Sequence, residues 1–475
     1  MSTSALSPRA ALTRRRHALP IGGLGWIAIG SLALALLSLL LPTTPTYDPY
    51  AWLIWGREIL HLDLDTDFGP SWKPLPVLFT TVFGLVPSAA PDLWVAVARA
   101  GAIASLALAV RVVWRLGGGL AGGVVAAACL AVATGYLRFA TLGDSEGILV
   151  ALLLAGIDLH LSGRRRAALW MAFAACLLRP EAWVFALVYA GWLWRAEPRL
   201  HRTTIGMVIG GAVLWFGPEL WGSGDLLRSS QRALDPNPDA IAFADFPAWE
   251  AVKRTVEMTP WPARIGFLVV AAGWISGRWR DRAVGIVALA ALAWTVEVAL
   301  MTQKGYSGNA RYMLAPVGLA CVVGGVGWAR LFALSARWGR TAAVAGTAAA
   351  LVIAGVLLIS PARQLDPDYR STVDEAHLND ALSDAITAVG GPARVRACGP
   401  TVTGPFQVTP LAWRLHVHMQ DVDLVPQVPG SVFRAGPPPH DIPGAPAIAV
   451  GDARLQPVAR SGPWQVLQAC SGGTS

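Results

Sequence analysis

Charged residues are scarce in this chain of 475 residues. They make up 14% of the sequence and hydrophobic residues make up 54%, whereas a soluble domain usually carries about 25% charged residues. Apolar runs close to or above roughly 18 residues, the length that crosses a bilayer as a helix, recur throughout residues 1–360. The scarcity of charge therefore excludes an ordinary soluble protein and predicts a polytopic membrane protein.

The motifs of several soluble enzyme classes are also missing. The sequence has no Walker pattern for binding nucleotide phosphates. Three of its histidines, His61, His160 and His201, lack the spacing of metal ligands. If the protein is a transferase, we therefore do not expect a nucleotide sugar held by a Rossmann domain. The net charge of +8 does not indicate nucleic-acid binding either, because the arginines flank the apolar runs.

Cysteine is scarce too, with five in the chain. Cys129, Cys176 and Cys321 lie inside apolar runs, where a thiol behaves as a small hydrophobic group. Cys398 and Cys470 lie in a polar tail, and a disulfide between them would suit an oxidising compartment. The sequence alone leaves open whether these two pair.

The apolar runs predict about eleven membrane spans. We place them at residues 20–40, 91–115, 119–135, 148–162, 167–178, 182–194, 203–221, 263–277, 283–300, 312–329 and 341–360. With these spans the arginine clusters fall on one side of the membrane, which by the positive-inside rule is the cytoplasmic side. The N-terminus is then cytoplasmic, residues 1–40 are a retained first span rather than a signal peptide, and the C-terminal tail is outside.

The sequence predicts two domains, a transmembrane domain over residues 1–360 and a small extracytoplasmic α/β domain over residues 361–475. In the tail, residues 366–390 have the period of an amphipathic helix. The pieces ARVRAC, LHVHM, AIAV and WQVLQAC have the composition of short strands between Pro and Gly clusters. Residues 222–262 are expected to form a long polar outer loop.

The stretch over residues 41–77 predicts two interfacial helices in the first outer loop. Tyr47–Leu62 carries Trp52 and Trp55, as membrane-interface segments do, and residues 73–87 are short and flanked by prolines. Asp48 lies where the first span reaches the outer surface. It is either an N-cap before Pro49, a general base at the membrane face, or both.

Other polar residues at the outer ends of the spans are candidates for the same site. Asp144 and Glu146 either form a solvated turn between two glycines, or bind a metal or share acid–base chemistry with Asp48. The cations there either bind a phosphate or pair with nearby acids such as Glu181 and Asp144. These cations are Arg138, Arg179, Lys304 and Arg311. Glu297, deep in an apolar run, is expected to have a structural partner.

The order of these pieces resembles the membrane glycosyltransferases of GT-C fold, in the branch of protein O-mannosyltransferases and lipid A aminoarabinose transferases. The matching pieces are TYDPYAW with Asp48, Lys73-Pro74-Leu75-Pro76, LWVAVARAGA, YLRFATLGDSEG, LLRPEAW and Arg311-Tyr312. The resemblance covers roughly residues 20–330, and it depends on the order and placement of the motifs rather than on any one of them.

The resemblance implies transfer of a sugar from a polyprenyl-phosphate carrier to a cell-envelope glycan, lipid or protein acceptor outside the cytoplasm. Asp48 would be the general base of an inverting single displacement. Arg138, Lys304 or Arg311 would neutralise the phosphate of the lipid donor. The remaining expected site residues are Tyr47, Lys73, Arg179 and Glu181, in supporting roles.

Two further points stay open from the sequence. A divalent cation between Asp48 and Asp144 is neither required nor excluded. A transporter or flippase of a lipid-linked precursor is the alternative function, although the repeated, broken helices typical of transporters are not visible in the sequence. A third interpretation is a protein whose spans only anchor a binding domain in the tail. An anchor does not need so many spans.

Overall fold

The computed structural model describes residues 23–436 and 444–470, and this part of the chain is mainly helical. The helices are α1 (Leu24–Ser38), α2 (Tyr47–His61), α3 (Pro74–Phe83), α4 (Ala90–Arg115), α5 (Gly119–Ala131), α6 (Tyr136–Thr141), α7 (Glu146–Leu161), α8 (Arg165–Cys176), α9 (Ala182–Ala196), α10 (His201–Ser223), α11 (Arg228–Ala233), α12 (Pro247–Met258), α13 (Trp261–Ile275), α14 (Arg282–Gln303), α15 (Leu314–Ser335), α16 (Arg340–Ala362), α17 (Leu365–Ala388), α18 (Pro392–Cys398) and α19 (Val408–Leu415). The strands are β1 (Thr401–Val402), β2 (Val422–Asp423), β3 (Gly430–Ala435), β4 (Gln456–Ser461) and β5 (Trp464–Ala469).

A helix forms at each predicted span, which confirms the predicted polytopic fold. Within the described residues, five helical stretches are long and apolar enough to cross a membrane: Ala90–Arg115, Pro198–Ser223, Arg282–Gln303, Ala310–Ser335 and Arg340–Ala388. The shorter apolar helices are Leu24–Ser38, Pro74–Phe83, Gly119–Ala131 and Trp261–Ile275. Large apolar side chains stay exposed along these helices, as on α14, where Ile286 is 68% exposed. Such a surface is suited to lipid rather than to water.

Helix α15 is the centre of the helical part and packs against α4, α5, α13, α14 and α16. Glycines allow its backbone to approach its neighbours closely. A Cβ atom at Gly327 would overlap the carbonyl of Gly266 on α13, and one at Gly325 would overlap the carbonyl of Gly122 on α5. Small residues at such contacts are typical of packed membrane helices. The close packing fixes the position of the turn that leads into α15.

Helix α2 forms where the sequence predicts it, but its two tryptophans are buried in the structure. Residues 50–56 are buried on all sides, and Trp52 and Trp55 are both 0% exposed. Trp52 meets Trp94 of α4 edge to face at 5.3 Å, and the indole of Trp55 donates to the Asp65 carbonyl at 2.9 Å. The two tryptophans are therefore core residues rather than members of an aromatic belt, and side chains of the C-terminal tail belong to the same hydrophobic core.

The tail forms a five-stranded mixed sheet in the order β2-β1-β3-β5-β4. Strand β1 is parallel to β2 and β3, whereas β5 is antiparallel to β3 and β4. Side chains of the tail, among them Leu378, Leu411, Phe433 and Trp464, share one hydrophobic core with α2. Cys398 and Cys470 form a disulfide, which links the end of α18 to the residue after β5. The predicted α/β character of the tail is confirmed.

The details of the tail and of the outer loop differ from the prediction. The amphipathic helix over residues 366–390 is confirmed as α17, and WQVLQAC is confirmed as β5. ARVRAC is instead helix α18, which Gly391 and Pro392 begin, since proline is favoured in the first turn of a helix. LHVHM and AIAV are not strands. The loop over residues 222–262 contains α11 and α12.

Candidate active site

The first turn of α2 carries Asp48 beside the turn that follows α6. The chain enters α2 through Thr46, whose backbone N–H donates to the Leu142 carbonyl at 3.1 Å and whose hydroxyl donates to the same oxygen at 3.4 Å. Pro49 fits the first turn because no hydrogen bond is required of its nitrogen there. These bonds hold Asp48 close to Asp144, two residues beyond Leu142.

Arg311 joins the two carboxylates. It lies in the 3-10 turn Ala310–Met313, and the Asn309 side chain accepts from its backbone N–H at 3.1 Å. Its Nη2 donates to Asp48 Oδ2 at 3.0 Å and its Nη1 to Asp144 Oδ1 at 2.6 Å. The side chains of Arg311, Asp48 and Asp144 are only 18%, 14% and 6% exposed. A single guanidinium fork therefore binds two buried acids, one in the first turn of α2 and one in the loop before α7.

Lys73 approaches the same carboxylate from α3. It is the N-cap residue of that helix, before Pro74, and its Nζ lies 3.7 Å from Asp48 Oδ2. The ammonium also lies 4.9 Å from the centre of the Trp52 ring, which is a cation–π distance. Asp48 thus has two cationic partners, Arg311 and Lys73.

A second ion pair lies behind the first. Arg179, in the turn between α8 and α9, donates to Glu146 Oε1 at 2.5 Å, and the two side chains are 5% and 1% exposed. The guanidinium of Arg179 also lies 4.4 Å from the centre of the Tyr312 ring. Glu146 Oε2 has no hydrogen-bond partner among the described residues. We call the whole group the charged cluster; its members are Asp48, Lys73, Asp144, Glu146, Arg179 and Arg311.

Burial and the neighbouring charges shift the pKa values of the cluster members in different directions. Burial opposes the ionisation of Asp48, but Arg311 and Lys73 outweigh it and hold the pKa of Asp48 below its ordinary value. Burial raises the pKa of Asp144 to about 7; Arg311 opposes this rise, and Glu146 and Asp48 add to it. Burial also lowers the pKa of Lys73 to about 8. Two carboxyl groups with separated pKa values are what acid–base chemistry at neutral pH requires.

The structure brings together some of the predicted site residues and separates others. Arg138 points to α17, where its Nη2 donates to Ser371 Oγ at 3.2 Å. Lys304, at the end of α14, is exposed, and no described residue forms an ion pair with it. Arg311 is therefore the one of the three predicted phosphate-binding cations that contacts Asp48. Their roles toward a phosphate stay predictions.

The supporting residues also have definite places. Tyr47 precedes Asp48 in α2; burial raises its pKa to about 12, and its carbonyl accepts from Thr409 of the tail at 2.9 Å. Glu181 is buried beside the Arg179 turn, but the sequence alternative that pairs it with Arg179 is not realised as a salt bridge, since Arg179 binds Glu146. Oε2 of Glu181 has no hydrogen-bond partner among the described residues.

Arg311 also bears on the divalent cation that the sequence left open between Asp48 and Asp144. The Arg311 guanidinium occupies the space between these two carboxylates, and it would compete with a cation for the same oxygens. Among the described residues, no group of three or more His, Cys, Asp or Glu side chains is placed to hold a metal ion. The role of a divalent cation, which the sequence left open, stays untested.

Arg99, in the segment LWVAVARAGA, connects two helix ends, a role that the sequence did not indicate. It is a buried arginine on α4. Its guanidinium donates to the Ser38 carbonyl at 2.7 Å, and to the carbonyls of Pro42 and Thr141 at 3.2 Å each. It therefore ties the end of α1 to the end of α6. The sequence feature that could have identified Arg99 is its position in the middle of a long apolar run, where an arginine is costly without a partner.

Comparisons with known proteins bear on the fold. No protein-family model matches the sequence, and no match is found among curated proteins. Among solved structures, the chain is similar to ArnT from Cupriavidus metallidurans, crystallised with undecaprenyl phosphate. The TM-score is 0.53 at 12% identity, over 96% of this chain and 100% of that one. It also aligns with the Archaeoglobus fulgidus oligosaccharyltransferase tethered to an acceptor peptide, with a TM-score of 0.45 at 13% identity, over 82% of this chain and 63% of that one. The similarity to ArnT confirms the predicted GT-C fold.

Proposed function

We propose that this protein is a glycosyltransferase that moves a sugar from a polyprenyl-phosphate carrier to a cell-envelope acceptor, a glycan, lipid or protein, on the outer face of the membrane. The observation that carries the proposal is the charged cluster, in which buried carboxylates and cations alternate at one end of the helices. A protein of the same fold was crystallised with undecaprenyl phosphate, which supports a lipid donor of this kind.

Asp48 acts as the general base in this proposal. Its lowered pKa keeps the carboxylate ionised at neutral pH, so it can accept the proton of the acceptor hydroxyl as the oxygen attacks the anomeric carbon. The new C–O bond forms while the bond from the anomeric carbon to the phosphate oxygen breaks. The reaction is a single displacement with inversion, and the polyprenyl phosphate leaves with one more negative charge.

Arg311 and Lys73 stabilise that developing charge. Both already lie within 3.7 Å of Asp48, so a donor phosphate next to the base would meet the same two cations. When Arg311 turns toward the phosphate, it releases the Asp48 oxygen that it binds at 3.0 Å in the resting protein. Asp144, the other partner of Arg311, keeps the guanidinium in place during this exchange.

The arrangement of the charged helix ends supports an extracytoplasmic site. The charged cluster lies at the helix ends opposite those that carry Arg111, Arg115 and Arg164–Arg166, and positive residues favour the cytoplasmic side. The disulfide Cys398–Cys470 is in the segment that covers α2 next to the cluster, and disulfides persist in oxidising compartments. Both features support an outer location for the site and the C-terminal segment.

Transfer by the purified protein in proteoliposomes, measured with a panel of polyprenyl-phosphate sugars, tests the proposal. Asp48→Asn removes the base but keeps the side-chain size, so we expect transfer to fall by about two to four orders of magnitude, the contribution typical of a general base. Asp239→Asn, which changes an exposed carboxylate in the outer segment, serves as the matched control and should retain activity. Full activity of Asp48→Asn with an active donor would remove Asp48 from the mechanism.

A further inference from the structure

A second group of charged side chains lies at the other end of the helices that carry part of the charged cluster. Glu146 begins α7 and Arg179 follows α8, whereas Leu161 ends α7 and Arg165 begins α8. Helix α7 has 16 residues, and at about 1.5 Å per residue it separates the two ends by roughly 24 Å. The second group therefore lies near the opposite membrane face and takes no part in the proposed transfer.

This group surrounds an open cavity of about 540 Å³. The cavity is formed where α7 turns into α8 and where α9 turns into α10. Its main polar and aromatic lining residues are Arg164, Arg165, Arg166, Arg199, Glu197 and Trp170. Four guanidinium groups thus share one cavity with a single carboxylate, which leaves an excess of positive charge there.

That carboxylate satisfies only one of the cations. Arg165 Nη1 lies 2.5 Å from Glu197 Oε1. Arg164, Arg166 and Arg199 are exposed, and in the described part of the chain their side chains form neither an ion pair nor a hydrogen bond. The positive-inside rule accounts for basic residues on this side. It does not require three unpaired arginines to converge on one cavity.

The N-terminus of α8 faces the same cavity. Helix α8 has 12 residues, and its N-cap residue, Arg164, provides no side-chain hydrogen bond to the first turn. The free backbone N–H groups and the helix dipole favour an anion at such an end. The uncapped helix end and the unpaired arginines are separate observations, and both indicate a negatively charged ligand.

The surroundings indicate that this anion belongs to a lipid. Trp170, Trp192 and Trp194 are 45%, 44% and 43% exposed beside the cavity, and tryptophan is enriched at the level of lipid headgroups. Toward the middle of α9 and α10, Val188 and Ile209 are 72% and 59% exposed, as side chains that contact acyl chains are. Basic pockets between membrane helices suit anionic headgroups. We propose that this cavity binds the phosphate headgroup of an anionic phospholipid.

Native mass spectrometry of the full-length protein in detergent, with added lipid, tests this site. We expect the protein to retain phosphatidylglycerol more strongly than phosphatidylcholine, which has no net charge. The double variant Arg166→Gln/Arg199→Gln should bind phosphatidylglycerol more weakly by roughly fivefold for each cation removed. Arg195→Gln/Arg202→Gln is the matched control, since both arginines are exposed on the same side but do not line the cavity. It should keep most of the binding.

The thermal unfolding temperature gives a second readout, with phosphatidylglycerol raising it for the wild type and the control but not for the cavity variant. Inorganic phosphate alone should not raise it, because it lacks the acyl chains; an increase equal to that with the lipid would overturn the assignment to a lipid. If the cavity variant and the control lost phosphatidylglycerol binding equally, overall charge rather than the cavity would determine lipid binding. Equal retention of phosphatidylglycerol and phosphatidylcholine by the wild type would also overturn the proposal.

Discussion

Arg311 is the residue on which the candidate site depends most. Its two N–H···O contacts, at 3.0 Å to Asp48 and 2.6 Å to Asp144, connect α2, the turn before α7 and the turn before α15. Removing one partner of a buried ion pair leaves an unpaired charge, which typically costs about 3–5 kcal/mol. The same side chain thus contributes to the stability of the site and, in the proposed function, to binding the donor phosphate.

The structure distinguishes Arg311 from the other cations that the sequence could not rank. We expect Arg311→Gln to raise the concentration of lipid donor needed for half-maximal transfer by at least about tenfold, because a charge-assisted contact to phosphate is lost. Arg138→Gln should change it little, since Arg138 binds Ser371 instead of the cluster. Donor titrations at fixed acceptor concentration measure both values.

Equal effects of the two substitutions would contradict this placement of Arg311. Because Arg311→Gln also removes the ion-pair partner of Asp144 and leaves Asp48 with Lys73 alone, its unfolding temperature must be compared with that of Arg311→Lys, which restores one positive charge. If Arg311→Lys is as stable as the wild type but still needs more donor, the loss belongs to phosphate binding. Lysine lacks the fork that reaches two carboxylates at once.

The identity of the acidic residues could be predicted from the sequence, but their pairing could not. Asp48, Asp144 and Glu146 stand out because carboxylates at the ends of apolar runs are unusual. Which cation meets which acid depends on how helices far apart in sequence pack, and Arg311 and Asp144 are 167 positions apart. For this reason the local pairing of Arg179 with Glu181 looked as plausible as the observed one with Glu146.

At the scale of elements, the contact between α2 and the tail contains a titratable pair. His418 Nδ1 lies 2.8 Å from Glu58 Oε1, and its Nε2 lies 3.2 Å from Asp63 Oδ2. Burial raises the pKa of Glu58 to about 7, although hydrogen bonds from Asp65 and His418 oppose the rise. Burial alone would lower the pKa of His418, but Glu58, Asp63 and Asp65 outweigh it and raise that pKa above the ordinary value.

This pair predicts the direction of a pH dependence. Both groups hold a proton more tightly in the folded protein, so their contribution to stability is complete at low pH. It is lost as pH rises, from the ordinary value of 4.5 to about 7 for Glu58 and above 6.5 for His418. We expect the unfolding temperature to fall between about pH 5 and about pH 8, and Glu58→Gln/His418→Gln to reduce that slope.

Thermal unfolding in detergent over this pH range measures the slope for each protein. His61→Gln is the matched control, because His61 also lies near the end of α2, but its Nδ1 contacts the Arg57 carbonyl, at 2.7 Å, and it forms no ion pair with any described residue. It should keep the wild-type slope. A slope that is the same in the double variant and the wild type would show that other groups cause the pH dependence.

A helix or strand could be predicted from the sequence where the residues of that segment alone determine its structure. The helical spans and α17 follow from hydrophobic length and period. The burial of α2 did not follow, because it requires residues of the tail, such as Leu411 and Trp464, to return to it. ARVRAC was assigned to a strand on composition, whereas the Gly391–Pro392 step favours the start of a helix.

For the whole molecule, the proposed orientation in the membrane can be tested with cysteine labelling. The three free cysteines, Cys129, Cys176 and Cys321, are all 0% exposed, so the wild type should give little background. We expect Asp239→Cys to react with a membrane-impermeant maleimide added outside intact cells. Arg195→Cys should react only after the cells are opened.

Both positions are exposed in the folded protein, so they differ by membrane side rather than by burial. Labelling after solubilisation in detergent provides the control that each cysteine can react. Outside labelling of Arg195→Cys in intact cells would reverse the proposed orientation and move the charged cluster to the cytoplasmic side. The fold would remain, but the proposed outer-face reaction would not.

The cover that the tail provides for α2 also has a consequence for biosynthesis. Translation produces residues 47–61 long before the residues near 378–466 that complete their packing. Until those residues have been made and have packed against it, this helix, with its two large indoles, lacks part of its hydrophobic core. Asp48, at the start of that helix, therefore acquires its final surroundings only after residues 378–466 have been made.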